Sequence, residues 1–331
     1  MCIRDRNHAY DGYYGADGSW NDFVSAAIDG TGPFAGESDT VRDQAVEKGI
    51  QNGVMTAYAI HELNAAIIKA EAGNWGPDDA QHAWDEGWAF YHGPDDDGAD
   101  FDGCGPYATA DKRADNFGTT DGSGTAQANV ATLSAMNDGL TAMQNEDMDG
   151  LISARDEVLK NVVIVYSQAS VRYASKMTDD LAADDKADYD KHQAEGHAFF
   201  RVIEAYIADH TDACYNNQTH GMAYIGASAA STCDAFVWMD YQGTMVCYNT
   251  VVHMVFAEGT TEEICNGFAS TFPGSNMPGY YPDYGASKII EIFDLKNDGD
   301  STADYEADVR MYLQPAWNAL SITSDDIGQL V

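Results

Sequence analysis

The chain has 331 residues, 44% of them hydrophobic, and a formal net charge of −37. That apolar content is enough to bury a sizeable core and excludes a disordered acidic tail. The acid is spread along the whole chain, so the surface repels nucleic acid and anionic membranes and attracts cations; no run of about 18 apolar residues is present to span a bilayer.

The chain opens Met1-Cys-Ile-Arg-Asp-Arg6, which resembles nothing after it and carries no secretory leader; the expectation is a start that has lost its native one. Residues 1–37 are expected to form an irregular N-terminal segment with one short helical patch around Trp20 to Ile28. Ser38 is a good N-cap, and Val54, Tyr58, His61, Ala65 and Ile68 recur at helical spacing, which predicts a long helix from Ser38 to Ala72. A second helix starts behind Pro77-Asp-Asp and stops at Gly93-Pro94. Residues 94–125 read as a Gly- and Asp-rich insert, in which Asp95 to Asp102 is a solvated loop able to bind a cation weakly. A helical stretch over 126–144 leads through the turn Asn145–Gly150 to a third helix ending near Met177, with Val162, Tyr166, Ala169 and Tyr173 on one face. A fourth covers about 184–210. Residues 211–331 are expected to form an irregular, cysteine-containing C-terminal region packed on the bundle, with a short helix near Ser287 to Asp294 and a helix from Asp304 to Leu320.

One phrase is written twice. Glu86, Gly87, Ala89 and Phe90 align with Glu195, Gly196, Ala198 and Phe199 at a constant offset of 109, and Asp79 matches Asp188. Repetition at fixed spacing indicates a duplicated unit. The expected fold is therefore mainly α: an internally duplicated helical bundle over 38–210 with pseudo-two-fold symmetry, made of repeat one (38–93), the insert (94–125) and repeat two (126–210). The copies are unequal, since Trp88 stands in register with His197 and His92 with Arg201.

The repeated glutamates draw attention because Glu86 shares a helix face with Phe90 and is expected to be buried with it. A buried carboxylate must be paired, hydrogen-bonded or metal-bound. The glycine beside each glutamate costs about 1 kcal/mol of helix stability relative to alanine, which suggests a close approach of backbone or ligand. His82 and Glu86 are spaced i,i+4, and His192 and Glu195 i,i+3; either spacing can hold one cation. With Tyr58, His61, Tyr166, Tyr173 and His197 they form a set of carboxylate, phenolate and imidazole donors suited to Fe(III). Arg172 or Arg201 could hold a co-bound anion such as carbonate by bidentate contact. The ordinary alternative is a glutamate paired with Arg172 or Arg201 inside the bundle, and tyrosines that only pack.

Among other signals, Asn145, Asp147, Asp149 and Asp156 follow a calcium-loop spacing with weakening departures, Asn at the first position and Asp at the last; an acidic turn capping the third helix is the competing reading. Cys214, Cys233, Cys247 and Cys265 allow two disulfides, with Cys104 left over, or buried free thiols. Asn217-Gln-Thr219 is a glycosylation sequon that fits a secreted loop. No Glu-x-x-His occurs, which excludes a ferritin-like di-iron site, and His61-Glu62 lacks the second histidine of a zincin.

Ala83-Trp-Asp-Glu-Gly-Trp-Ala-Phe-Tyr-His-Gly93, Glu195-Gly-His-Ala-Phe-Phe-Arg201 and Val46-Glu-Lys-Gly-Ile-Gln-Asn-Gly-Val-Met55 resemble the algal low-iron-inducible, or high-CO2-inducible, periplasmic proteins, over roughly residues 40–320. That family includes iron-assimilation proteins of green algae and the phytotransferrins of diatoms. The resemblance implies a secreted, periplasmic or cell-surface protein that is not an enzyme and captures Fe(III), with carbonate as co-bound anion and a cell-surface uptake system as partner. Two other readings are a metal-dependent helical peptidase or hydrolase of imelysin-like type, and a structural periplasmic protein whose glutamates only lock the bundle.

Overall fold

The computed structural model of the chain describes residues 8–15, 18–94, 105–224, 230–256, 261–272 and 277–331. The acidic stretch Asp95 to Asp102 and Cys104 lie outside the described residues. Two compact units are present. One consists of Met1–Ala205, Ile292–Ala307 and Ile322–Val331, the other of Tyr206–Glu291 and Asp308–Ser321.

The first unit is helical. Two short helices, α1 (His8–Tyr14) and α2 (Ser19–Asp29), occupy the segment read as mostly irregular. Then α3 (Asp39–Lys48) begins where Ser38 accepts a hydrogen bond from the Val41 amide, so the cap is formed as its sequence predicts. The helix does not run straight into α4 (Met55–Glu71): Gly49–Val54 is a wide π turn. A Cβ on Gly53 would meet the Trp20 ring at 2.3 Å, so glycine lets the indole of α2 seat directly on the backbone there.

Helix α5 (Ala80–His92) stops at Gly93, whose φ is 75°. It packs closely on α4, because a Cβ on Gly87 would meet Leu63 at 2.7 Å and the Ala59 carbonyl oxygen at 3.1 Å. Next comes α6 (Pro106–Phe117), which the sequence reading placed inside a loop-like insert; Pro106 opens it and Gly118, at φ 68°, closes it. Helices α7 (Gln127–Gln144) and α8 (Met148–Ala182) form a second hairpin. Trp84 of α5 packs on Gly139 of α7 and donates from its indole Nε1 to the Met136 carbonyl oxygen at 2.9 Å. Around them Leu63, Ala66, Met143, Leu151 and Val158 make one apolar core. Every residue of α8 from Asn161 to Val171 is buried, the mark of a helix surrounded on all sides. Helix α9 (Lys186–Ile207) follows.

The second unit carries two three-stranded antiparallel sheets. In one, β1 (Ala213–Asn216) lies between β2 (Gly221–Tyr224) and β6 (Tyr280–Tyr281); in the other, β4 (Thr244–Asn249) lies between β3 (Phe236–Tyr241) and β5 (Met254–Phe256). Short helices α10 (Ala230–Cys233) and α11 (Glu262–Cys265) join them. Disulfides link Cys214 to Cys233 and Cys247 to Cys265. They sit among Phe236, Phe256 and Phe268, the first and last stacked with ring centroids 4.1 Å apart. Helices α12 (Tyr284–Ile292), α13 (Tyr305–Ala319) and α14 (Ser324–Ile327) complete the chain.

The fold is mainly α with a cysteine-bearing C-terminal region, as expected. The packing does not establish the duplication. Gly87 faces its neighbour helix α4, whereas a Cβ on Gly196 would strike the Phe293 ring at 2.1 Å. The two glycines thus make room for different things.

Candidate functional site

Glu86 and Glu195, equivalent in sequence, stand in opposite environments. The buried residues of α5 are Ala80, Ala83, Trp84, Gly87 and Tyr91, so the face carrying Glu86 and Phe90 is turned outward. The His82–Glu86 pair does form, at 3.5 Å, but with side chains 58% and 45% exposed. The expected burial of Glu86 is therefore corrected. Its reason is that Phe90 is itself only partly buried, resting on the Tyr58 ring at 5.2 Å.

Glu195 is 6% exposed and accepts a hydrogen bond from the Tyr173 hydroxyl at 3.1 Å. Helix α8 supplies Tyr173 and α9 supplies Glu195, and the Tyr173 ring stacks on Phe199 with centroids 5.4 Å apart. Burial, then the charge of Glu195, pushes the Tyr173 phenol up to about 12. Three residues toward the start of α9, His192 faces Asp180 of α8 with Nδ1 and Oδ2 2.6 Å apart, and its ring lies 5.9 Å from that of Tyr173.

Two guanidinium groups close the cluster. Arg113 of α6 and Arg172 of α8 each lie 5.9 Å from the Tyr173 ring centroid. Arg113 is 8% exposed; burial, and to a smaller degree the like charge of Arg172, lowers its pKa from the ordinary arginine value. Tyr173 and the charge of Glu195 oppose that shift. The Nε atoms of both arginines are buried with no hydrogen-bond partner, a costly state that calls for an acceptor. Arg113 escaped the sequence reading because its segment is rich in Gly and Asp overall; Pro106 and Gly118, spaced one short helix apart, were the available signal.

Residues 9–202 match the Fea1 family, described as low iron-inducible periplasmic proteins, over more than half of the chain. The chain belongs to this family. No curated protein and no solved structure matches it. The family match spans nearly all of the N-terminal part of the helical unit and every residue of the Tyr173 cluster.

In this Fea1-family protein the remaining candidates are scattered. Tyr166 is fully buried, and its hydroxyl sits 3.2 Å from the Thr56 hydroxyl while donating to Asn52 Oδ1 at 3.1 Å. Burial raises its pKa far above the tyrosine range, and its bond to Asn52 ties it to the π turn. His61 lies 3.6 Å from Glu62, both buried. His197 stacks on Phe23 at 5.6 Å and lies 3.1 Å from the Phe293 carbonyl oxygen, through Nδ1. Arg201 lies over the Tyr14 ring at 3.8 Å and donates to the Ser19 carbonyl oxygen, pinning the N-terminal helices to α9.

The calcium-loop reading is corrected as well. Helix α8 already starts at Met148, so Asp149 and Asp156 are helical. Asp147 is the N-cap, accepting from the Gly150 amide at 3.1 Å, and Asp156 pairs with Arg155 at 2.7 Å. Among the described residues, no group of three or more His, Cys, Asp or Glu side chains is arranged to hold a metal. An ion at the Tyr173 cluster would therefore depend on phenolate oxygen and on a co-bound anion.

Proposed function

We propose that this protein is a non-catalytic, ferric-iron-binding protein of iron acquisition, which takes up Fe(III) outside the cytoplasm and passes it to a cell-surface uptake system. Family membership supports an iron-linked role in the periplasm. The observation that carries the finer reading is the buried Tyr173–Glu195 pair flanked by Arg113 and Arg172.

Fe(III) is a hard cation that prefers carboxylate and phenolate oxygens. Tyr173 and Glu195 present both, with His192 and Asp180 alongside. A small planar anion such as carbonate would accept from the unpartnered Nε atoms of Arg113 and Arg172. Because the Tyr173 phenol is pushed up to about 12, the arriving ion must displace its proton, so uptake releases protons and weakens as pH falls.

The test is a titration with ferric citrate, with and without bicarbonate, followed by heat and by the visible tyrosinate-to-iron charge-transfer band. A saturable band, stronger with bicarbonate, is expected; Tyr173→Phe abolishes it, and Arg113→Gln weakens binding about 10–100-fold, the usual cost of losing a group behind the ligands. Neither heat nor band in the native chain, under either condition, sinks the reading.

A further inference from the structure

We propose that Asn217 is N-glycosylated and that the Tyr215 ring is the platform on which the first sugar rests. Asn217-Gln-Thr219 is the one Asn-x-Ser/Thr triplet in the whole sequence, and it falls on the turn between β1 and β2.

The turn is built to present it. Cys214 and Asn216 of β1 are buried, and the Asn216 amide group holds the turn from inside: Nδ2 donates to the Ile264 carbonyl oxygen at 2.8 Å, and Oδ1 accepts from the Gln218 and Thr219 amides at 2.9 and 3.1 Å. With Asn216 committed inward, Asn217, Gln218 and Thr219 are all exposed. Tyr215, two residues before Asn217, is half-buried, while its strand neighbours Cys214 and Asn216 are buried. Its ring is held in place, edge-on to Phe272 at 6.0 Å and with its hydroxyl 3.0 Å from His220 Nδ1. A fixed aromatic face beside a modified asparagine can stack on the C–H face of an N-acetylglucosamine. The same unit carries two disulfides, which form in the oxidising compartments where such transfer occurs.

The donor is a polyprenyl-diphosphate-linked oligosaccharide. Asn217 Nδ2 attacks the anomeric carbon, the C–O bond to the diphosphate breaks as the N–C bond forms, the amide loses one proton, and the polyprenyl diphosphate leaves. Thr219 supplies the hydroxyl that the transferase requires two residues on.

The full chain, secreted from a eukaryotic host, is analysed by intact mass and glycopeptide mass spectrometry. A single N-linked glycan on the peptide containing Asn217 is expected, absent in both Asn217→Gln and Thr219→Ala. Unmodified Asn217 in the secreted native chain overturns the site. For the platform, Tyr215→Leu is compared in the glycosylated chain and in Asn217→Gln. A Tm loss larger by about 2–4 °C in the glycosylated background is expected; equal losses overturn the role of Tyr215 while leaving the site standing.

Discussion

In the helical unit a 35-residue helix is enclosed on every side along its middle, and the core around Trp84 and Met143 is assembled from four helices. In the sheet unit the strands are two to six residues long, and two covalent links lie among three phenylalanines. The first draws its order from buried area, the second from a shortened list of unfolded conformations. The family match ends at residue 202, near the point where one unit gives way to the other. The family signature thus lies in the unit held by packing, and the glycosylation sequon in the unit held by crosslinks.

The contrast can be broken experimentally. Trp84→Ala removes a fully packed indole and its bond to the Met136 carbonyl oxygen, so the helical unit should lose about 3–5 kcal/mol. Hydrogen exchange should show the loss in α5, α7 and α8, with β3 and β4 unchanged; equal loss in both units would mean that they unfold as one. Paired Cys247→Ser and Cys265→Ser should cost about 3 kcal/mol, the loop-closure value for an 18-residue separation, and should appear in the sheet unit first.

Acid offers a third probe. Burial depresses the His197 imidazole from 6.5 to about 4, partly opposed by the Phe293 carbonyl oxygen. A depressed folded-state pKa gives stability that is complete above pH 6.5 and is lost as pH falls through 4, here at most roughly 3 kcal/mol. Denaturant midpoints should fall across that window, and His197→Phe should flatten the fall. The smallest effect is that of Asp147→Ala, expected to cost about 1 kcal/mol by loss of the α8 cap. Calcium should leave the Tm of the native chain unchanged; a rise would restore the loop reading.

What the sequence disclosed depended on how local its signals were. Ser38, Gly93 and the 3.6-residue periodicity of α4 and α8 act within one turn of chain; the cap and the stop formed as placed, while the helix expected over 38–72 is interrupted by the π turn and α8 runs past Met177 to Ala182. The strand pair β3–β4 went unread because Phe236 to Tyr241 carries apolar residues on both faces, and because its two-residue turn is Gln242-Gly243, with φ of 54° and 84°, in place of the usual Asn-Gly. Within the site, Glu195 and His192 were recognised from one helix's spacing. Their actual partners, Tyr173, Asp180 and Arg113, come from α8 and α6, and no spacing along a single helix encodes that meeting. Glu86 misled for the same reason: local identity with Glu195 says nothing about which face of α5 the neighbouring helices cover.

The π turn at Gly49–Val54 has a consequence for length variation in this chain. A wide turn holds one residue more than ordinary helix geometry needs, and each residue advances a helix by about 100°. Val41 and Ala45 upstream are buried, as are Ile60 and Leu63 downstream, so the turn sets the phase in which both halves meet the core. Deleting a single residue between 49 and 54 would not trim a loop. It would rotate one half against the other by about 100°, turn Val41 and Ala45 away from the core, and withdraw Asn52 from the Tyr166 hydroxyl. In a region that looks like uninterrupted helix, chain length is thus as tightly fixed as the identity of any buried side chain.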